Sequence, residues 1–138
     1  MSNRTFTIIK PDSVEKNNFG KIISRIEAEG FRILGLRKLH LKESEAKKFY
    51  AVHSERPFFG DLVAYMTSGP VYVAALEKED AVSSLRKLMG ATDPAKAESG
   101  TIRAEFGESI ERNAIHGSDS DENAKNEIGF FFEESDLS

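Results

Sequence analysis

The sequence predicts an α+β domain in which helices pack on an antiparallel β-sheet. Two observations predict this class. Short β-branched runs alternate with segments of helical spacing, in the order β-α-β-(αα)-β-α-β-α. The 138 residues contain neither a repeat nor a linker, which favours a single domain spanning residues 1–138. Two split β-α-β units in so short a chain indicate a ferredoxin-like sheet with its helices on one face.

The first third of the chain predicts two strands around one amphipathic helix. Residues Thr5–Ile9 are β-branched or aromatic, so we expect a strand that ends before Pro11. Helical spacing follows, with Gly30 as the C-terminal stop, and the apolar residues that show it are Phe19, Ile22, Ile23 and Ile26. The segment Phe31–Leu41 predicts a long second strand.

The middle third predicts three helices and a strand. Helical spacing returns in a third group of residues, namely Ala46, Phe49, Tyr50 and His53. Pro57 is typical of a first helical turn and predicts a short helix that ends at Gly69. The apolar run Val71–Leu76 predicts a strand, and Asp80 is expected to cap a helix that ends at Met89.

The last third combines an irregular segment with a strand and a helix. Between Gly90 and Asn113 lie 22 residues without a sustained period. Long irregular loops are uncommon in compact domains and are often functional, so we expect a site there. We predict a short strand over Asn113–His116 and a long helix from about Ser120 to Phe131.

The composition excludes several kinds of chemistry. The chain has no cysteine, which excludes disulfides, thiolate nucleophiles and cysteine-based zinc sites, and which fits a reducing compartment such as the cytoplasm. Apolar runs are far shorter than the ~20 residues of a membrane helix, and the N-terminus lacks a signal-peptide pattern, so we expect no membrane association. Residues 1–118 carry 18 basic and 16 acidic groups, a balance that argues against nucleic acid as the primary partner.

His116 is the histidine with the strongest functional context. It lies in the segment Asn113–Ser120, at the junction of a predicted strand and helix. Gly117 leaves room beside the imidazole, and residues 118–120 are all able to cap a helix whose amides bind anions. The alternative is that this segment is only a capped turn. His40 and His53 fit structural roles better.

Glu127 is the candidate partner of His116. It lies at the edge of the apolar stripe of the last helix, where a carboxylate needs a partner. A carboxylate bound to one imidazole nitrogen fixes the tautomer and leaves the other nitrogen as a nucleophile. The alternative is that Glu127 pairs near Lys125 or reaches solvent.

Three cations at element boundaries are candidate phosphate ligands, namely Lys10, Arg86 and Arg103. Together with a histidine nucleophile they fit phosphoryl transfer, which needs positioning and charge neutralisation. Neither a P-loop nor a G-x-G-x-x-G motif is present, so a nucleotide would bind in another way. The aromatic pair Phe58 and Phe59 offers a face to a base, although one of them is expected in the core.

Five segments in order resemble the nucleoside diphosphate kinase family, especially its bacterial members with a short C-terminus. They read TIIKPD from Thr7, HSERPFF from His53, RKLMGATDP from Arg86, GTIR from Gly100 and NAIHGSDS from Asn113. The resemblance covers essentially the whole chain. It implies transfer of the terminal phosphate of a nucleoside triphosphate, mainly ATP, to a nucleoside diphosphate. The implied reaction is ping-pong, through a phosphohistidine and with Mg²⁺, and it maintains nucleotide pools.

The resemblance also assigns roles to residues at matching positions. His116 would be the nucleophile, oriented by Glu127 and assisted by Ser118, with Tyr50 close by. The implied nucleotide ligands are Lys10, Phe58, Leu62, Arg86, Thr92, Arg103, Ile110 and Asn113. Phe58 would stack on the base between Leu62 and Ile110, and Asp119 would hold the metal through water.

The resemblance further implies a homo-oligomer, for which we favour a hexamer of dimers over a tetramer. Two other classes stay open at the level of sequence: a non-catalytic nucleotide sensor on the same fold, and a nucleic-acid binder that uses the sheet. The first would be favoured by loss of His116 or Glu127, and both are present. The second lacks the aromatic strand motif of RNA-binding sheets.

Overall fold

Four strands form a single sheet in the computed structural model, which describes residues 3–110 and 112–138. In chain order they are β1 (Arg4–Ile9), β2 (Arg32–Leu39), β3 (Val71–Glu77) and β4 (Ile115–Gly117). Their spatial order is β2-β3-β1-β4, and every neighbouring pair is antiparallel. This arrangement confirms the predicted α+β class and the ferredoxin-like sheet.

Seven α-helices connect and cover the strands in the described ranges. They are α1 (Pro11–Glu15), α2 (Phe19–Ala28), α3 (Glu43–Phe49), α4 (Phe59–Met66), α5 (Ala81–Met89), α6 (Ile102–Phe106) and α7 (Asp121–Phe131). Single 3₁₀ turns cover Ala51–His53, Pro94–Lys96 and Glu134–Asp136. Strand β2 is shorter than the predicted Phe31–Leu41, and His40 lies just beyond its end.

Helices cover both faces of the sheet, so the prediction of one covered face is wrong. On β3, Ala74 and Leu76 pack into a cluster with α2 and α5. Val73 and Ala75 of the same strand pack into a second cluster that includes residues of α4 and α7. Because successive strand residues point to opposite faces, the two clusters lie on opposite sides of the sheet. The central strands are therefore buried on both faces, and charged residues occur only at their ends, at Arg4 and Glu77.

Two short helices, α1 and α6, lie where the sequence predicted none. Helix α1 begins with Pro11 in its first turn, a position that suits the missing N–H of proline. Helix α6 lies within the segment predicted to be irregular, and the Thr101 hydroxyl caps it by accepting the N–H of Ala104. Five residues are too few to show a 3.6-residue period. Both helices position residues of the site described below.

The predicted cap of α5 has the right position but a different structure. Asp80 is the N-cap residue of that helix, yet its side chain makes no capping hydrogen bond. Its backbone adopts a left-handed conformation, with φ of 51°. Its backbone carbonyl accepts the N–H of Ser84 at 2.9 Å, which is the first hydrogen bond of the helix.

Candidate active site

A strained turn fixes the segment that carries His116. The N–H of Ile115 donates to the carbonyl of Asn113 at 2.9 Å, which closes a γ-turn around Ala114. Ala114 has a φ of 75°, an unfavourable value for a residue with a Cβ. The strand then begins at Ile115, and His116 lies opposite Ile8 of β1. Because of the turn, β4 covers Ile115–Gly117 rather than the predicted Asn113–His116.

The imidazole of His116 is held by the carboxylate of Glu127. His116 Nε2 lies 2.9 Å from Glu127 Oε1, and the hydroxyl of Ser118 donates to the same oxygen at 2.7 Å. The side chains of His116 and Glu127 are 23% and 20% exposed. An ionised carboxylate only accepts hydrogen bonds, so this contact requires the proton on Nε2, and in the neutral imidazole Nδ1 then keeps the lone pair. The first of the two alternatives for Glu127, a contact with His116, is the one that the structure shows.

Three aromatic rings surround the imidazole. Their centroids lie 5.8 Å away for Phe49, 6.3 Å for Phe6 and 6.4 Å for Tyr50, and each ring meets the imidazole edge to face. The Tyr50 hydroxyl is buried and has no hydrogen-bond partner among the described residues. Burial, and then the charge of Glu127, raise the pKa of Tyr50 well above its usual range. Tyr50 therefore keeps its proton and has a hydrogen bond to donate.

Lys10 contacts the γ-turn through both its backbone and its side chain. Its backbone N–H donates to the carbonyl of Ala114 at 2.9 Å, and its Nζ donates to Asn113 Oδ1 at 2.8 Å. The amide of Asn113 in turn donates to the carbonyl of Thr92 at 3.1 Å. Burial, and then the charge of Arg103, lower the pKa of Lys10 to about 8.

Arg103 brings a second buried cation to the same segment. Its guanidinium donates to the carbonyl of Ile115 at 2.8 Å and to that of Gly90 at 3.1 Å, while its Nε is buried and has no hydrogen-bond partner among the described residues. Burial and the charge of Arg86 lower the pKa of Arg103 to about 10. Arg103 therefore acts on Lys10, and Arg86 acts on Arg103, so like charges lie close together in this part of the structure. A bound anion would relieve this repulsion.

The remaining predicted residues lie at the surface or in the core. Phe58 is 47% exposed and Ile110 is 55% exposed, which is unusual for large apolar side chains. Phe59 and Leu62 pack against the core cluster that contains Tyr50, as predicted for one member of the aromatic pair. Thr92 is exposed.

Two serines near the start of α7 have different hydrogen-bond partners. Ser120 caps α7 by accepting the N–H of Asn123 at 3.1 Å, whereas Ser118 is fully buried and bonds to Glu127. Asp119 is exposed, and its Oδ1 accepts the side-chain amide of Asn123.

The structure explains why position 117 is a glycine, and the explanation differs from the one that the sequence suggests. The sequence predicts that this glycine leaves room for the imidazole. A Cβ at Gly117 would instead lie 2.5 Å from the sulfur of Met89 and 3.2 Å from a methyl carbon of Leu85. The glycine therefore lets α5 pack closely against β4.

Two classes of feature are missing from the described ranges. No group of three His, Asp or Glu side chains there is arranged to bind a metal ion. Within residues 3–110 and 112–138, no helix has the length and apolar character needed to cross a bilayer.

Comparison with known proteins decides the family. The family model described as "Nucleoside diphosphate kinase" matches residues 3–137. The chain belongs to the nucleoside diphosphate kinase family. A nucleoside diphosphate kinase of Nitratiruptor sp. is 61% identical over 134 residues, which cover 97% of this chain and 98% of the relative. The relative from Campylobacter curvus is 64% identical over 129 residues, covering 94% of each chain.

Solved structures of the family share the fold closely. The nucleoside diphosphate kinase of Aquifex aeolicus superposes with a TM-score of 0.97 at 45% identity and covers 100% of both chains. That of Halobacterium salinarum, solved in complex with CDP, gives a TM-score of 0.95 at 39% identity and covers 100% of this chain and 92% of the relative. The chain is accordingly an enzyme that transfers phosphate between nucleotides.

Proposed function

We propose that this chain transfers the terminal phosphate of a nucleoside triphosphate, mainly ATP, to nucleoside diphosphates through a phosphohistidine at His116. Such a reaction maintains the pools of ribo- and deoxyribonucleoside triphosphates. The hydrogen bond from His116 Nε2 to Glu127 is the observation that carries the proposal. It leaves Nδ1 unprotonated and free to attack a phosphorus atom.

In the first half-reaction, the Nδ1 lone pair forms a bond to the γ-phosphorus. The bond from that phosphorus to the β-γ bridging oxygen breaks, and the oxygen keeps the electron pair as the diphosphate leaves. The imidazole gains positive charge because Nε2 keeps its proton, and the carboxylate of Glu127 stabilises this charge at 2.9 Å. In the second half-reaction, the terminal oxygen of another diphosphate attacks the same phosphorus and the N–P bond breaks.

The cations near the γ-turn would bind the phosphates. In the absence of an anion the charge of Arg103 disfavours that of Lys10, and the charge of Arg86 disfavours that of Arg103. The buried Nε of Arg103 still has a hydrogen bond to donate. Charge-assisted bonds from these groups would stabilise the transferring phosphate. The nearby Thr92 and Asn113 would complete the nucleotide contacts, with Lys10 and Asn113 also reaching the sugar hydroxyls.

Magnesium would be held mainly by the nucleotide phosphates. Mg²⁺ usually binds one or two protein carboxylates together with substrate phosphates and water. The single exposed carboxylate of Asp119 fits that donor set, through a water molecule. The ion would supply charge neutralisation on the phosphates.

The exposed ring of Phe58 would stack on the base, in a slot lined by Leu62 and Ile110. Stacking uses only the π face, which purines and pyrimidines share, so the site would accept both. The CDP in the halophilic relative supports binding of a pyrimidine nucleotide here.

We also propose a cytoplasmic homo-oligomer, a hexamer of dimers rather than a tetramer. Strand β2 ends the sheet order and includes Leu36, which is 43% exposed. Unpaired strand edges readily pair with another chain. Sedimentation velocity distinguishes a hexamer from a tetramer.

The proposed nucleophile can be tested in a single half-reaction. The chain is mixed with γ-labelled ATP and Mg²⁺, quenched in alkali, and assayed for label retained on protein. We expect label on the wild type and on His40→Ala, whose exposed imidazole contacts only the carbonyl of Thr67 among the described hydrogen bonds. We expect none on His116→Ala. Label retained by a folded His116→Ala would refute the assignment, and an unlabelled wild type that binds nucleotide would favour the sensor.

A further inference from the structure

Two separate segments of the chain carry the walls of the proposed base slot. Phe58 is the N-cap residue of α4, and Leu62 lies within that helix. Ile110 lies much later in the chain, in the segment that joins α6 to β4. A slot built from two such segments needs a contact that holds them together.

The segment that carries Ile110 is a closed loop, here called the Ile110 loop (residues 108–112). The N–H groups of Glu108 and Ser109 both donate to the carbonyl of Arg112, at 2.8 and 3.3 Å. The N–H of Arg112 donates back to the hydroxyl of Ser109 at 3.1 Å. Ile110 is 55% exposed, so burial does not fix its position. Because Arg112 closes the loop, a contact that fixes Arg112 also restrains Ile110.

Tyr65 of α4 is the residue that contacts Arg112. The Arg112 guanidinium lies 5.2 Å from the centre of the Tyr65 ring, within the range of a cation–π interaction. Tyr65 follows Leu62 by three positions in α4, so the two side chains are neighbours on the helix surface. The contact therefore joins the Ile110 loop to the part of the helix that carries Leu62.

Asp12 holds the Tyr65 ring at its hydroxyl end. The hydroxyl of Tyr65 donates to Asp12 Oδ1, and the backbone N–H of Asp12 donates to the same hydroxyl at 3.3 Å. Asp12 is 2% exposed, so the surrounding fold sets its position. The ion pair of Lys16 with Glu108 also reaches the loop, but both side chains are more than 40% exposed, and such pairs contribute little. The Tyr65 ring is therefore the firmer support.

We propose that Arg112, by lying on the Tyr65 ring, is a positioning residue that keeps Ile110 in place before a nucleotide binds. The base then enters a slot whose walls are already ordered, and less free energy is spent on ordering them during binding. The effect on affinity rests on the base slot proposed above, but it does not require phosphate transfer. It should depend on whether the ligand has a base.

Calorimetry with three diphosphates tests this dependence: ADP, CDP and ribose 5-diphosphate, which has the sugar and phosphates but no base. We expect Arg112→Gln, a change at an exposed position, to weaken ADP and CDP about 2–5-fold, the size of an exposed cation–π contact. Binding of ribose 5-diphosphate should not change. The matched control is Lys21→Gln, which removes a positive charge from an exposed position of α2 and should change none of the affinities.

Two results of this experiment would overturn the proposal. An equal loss for all three ligands would indicate that Arg112 attracts phosphate over a distance or supports the fold in general. Unchanged affinities for ADP and CDP would indicate that the contact does not affect the slot.

Double variants test whether the effect passes through Ile110 and Tyr65. In an Ile110→Ala background, and in a Tyr65→Leu background, Arg112→Gln should weaken ADP no further. If Tyr65→Leu does not fold, the Ile110→Ala background decides alone. The same 2–5-fold loss in the Ile110→Ala background would contradict the proposal.

Amide hydrogen exchange tests the loop without nucleotide. Once Arg112 no longer lies on Tyr65, the loop should open more often. The N–H groups of Glu108 and Ser109 should therefore exchange about 2–5-fold faster in Arg112→Gln than in Lys21→Gln. Equal exchange rates would overturn the proposal. A wild type that binds the three ligands as expected but takes up no phosphate in the half-reaction would refute the proposed reaction and leave the role of Arg112 in binding intact.

Discussion

Replacing Lys10 by methionine should stabilise the nucleotide-free protein at neutral pH while removing a proposed phosphate ligand. The side chain is 9% exposed, and methionine fills a similar volume without charge. The pKa of Lys10 is lowered from 10.5 to about 8. Below pH 8 the folded protein therefore holds a proton that the unfolded chain binds more tightly, and this difference opposes folding.

The magnitude follows from the gap between the two pKa values. At about 1.4 kcal/mol per pH unit, the protonated Lys10 costs about 3 kcal/mol at pH 7. The cost declines as pH rises from 8 to 10.5 and is about 1.4 kcal/mol at pH 9.5. Loss of the bond to Asn113 opposes the gain by about 1 kcal/mol. Lys10→Met should thus be about 2 kcal/mol more stable than the wild type at pH 7 and nearly equal to it at pH 9.5.

Urea unfolding of both proteins at one protein concentration, at pH 7 and at pH 9.5, measures this difference. The stabilised variant should also bind ADP much more weakly. A variant that is less stable at pH 7, or whose stability difference does not change with pH, would refute the argument that Lys10 is buried at a cost in free energy.

Three further substitutions test the site. Glu127→Gln should slow phosphate transfer about 10–100-fold, because a charged hydrogen bond of about 1.5–3 kcal/mol is lost. The control is Glu122→Gln, which changes an exposed residue of the same helix. Equal transfer rates in the two variants would show that Glu127 has no role in the reaction. Phe58→Ala should weaken the binding of purine and pyrimidine nucleotides alike, by about 1–3 kcal/mol as measured by calorimetry. A loss of binding confined to purine nucleotides would contradict stacking. Gly117→Ala should lower the free energy of unfolding by about 1–3 kcal/mol through overpacking, while Gly129→Ala, whose Cβ meets open space, should not lower it.

Most of the sheet could be predicted because its central strands contain runs of uncharged residues rich in β-branched and aromatic side chains. The predicted strands Thr5–Ile9 and Val71–Leu76 differ from β1 and β3 by one residue each. Both are buried on both faces, so no charged residue interrupts either predicted run. The same burial shows why one covered face was the wrong expectation: a central strand without alternation needs helices on both sides.

The errors arise where few residues or a tertiary contact decide the structure. Helix α6 has five residues, too few for a period, and its only local signal is the capping hydroxyl of Thr101. The start of β4 depends on the positive φ of Ala114, for which alanine gives no warning. Gly117 faces Met89, which lies 28 positions earlier in the chain.

The chemistry of the site was predictable in its residues but not in its geometry. Spacing on the last helix allowed Glu127 to contact either His116 or solvent, and only the three-dimensional fold selects the contact to Nε2. The rings of Phe6 and Phe49 beside His116 gave no sequence signal, because apolar residues in a strand and a helix predict only a core. The hydrogen bond from the Tyr65 hydroxyl to Asp12 joins residues that are 53 positions apart, and no local sequence pattern indicates such a contact.

The central claim is that phosphate passes through Nδ1 of His116, and ³¹P NMR of the phosphorylated protein tests it most directly. The protein is loaded with ATP and Mg²⁺, separated from nucleotide at alkaline pH, and then treated with GDP or CDP. We predict a single resonance at the position of Nδ1-phosphohistidine, absent from His116→Ala, that disappears on addition of either diphosphate. A resonance of Nε2-phosphohistidine, or one that neither diphosphate discharges, would contradict the account.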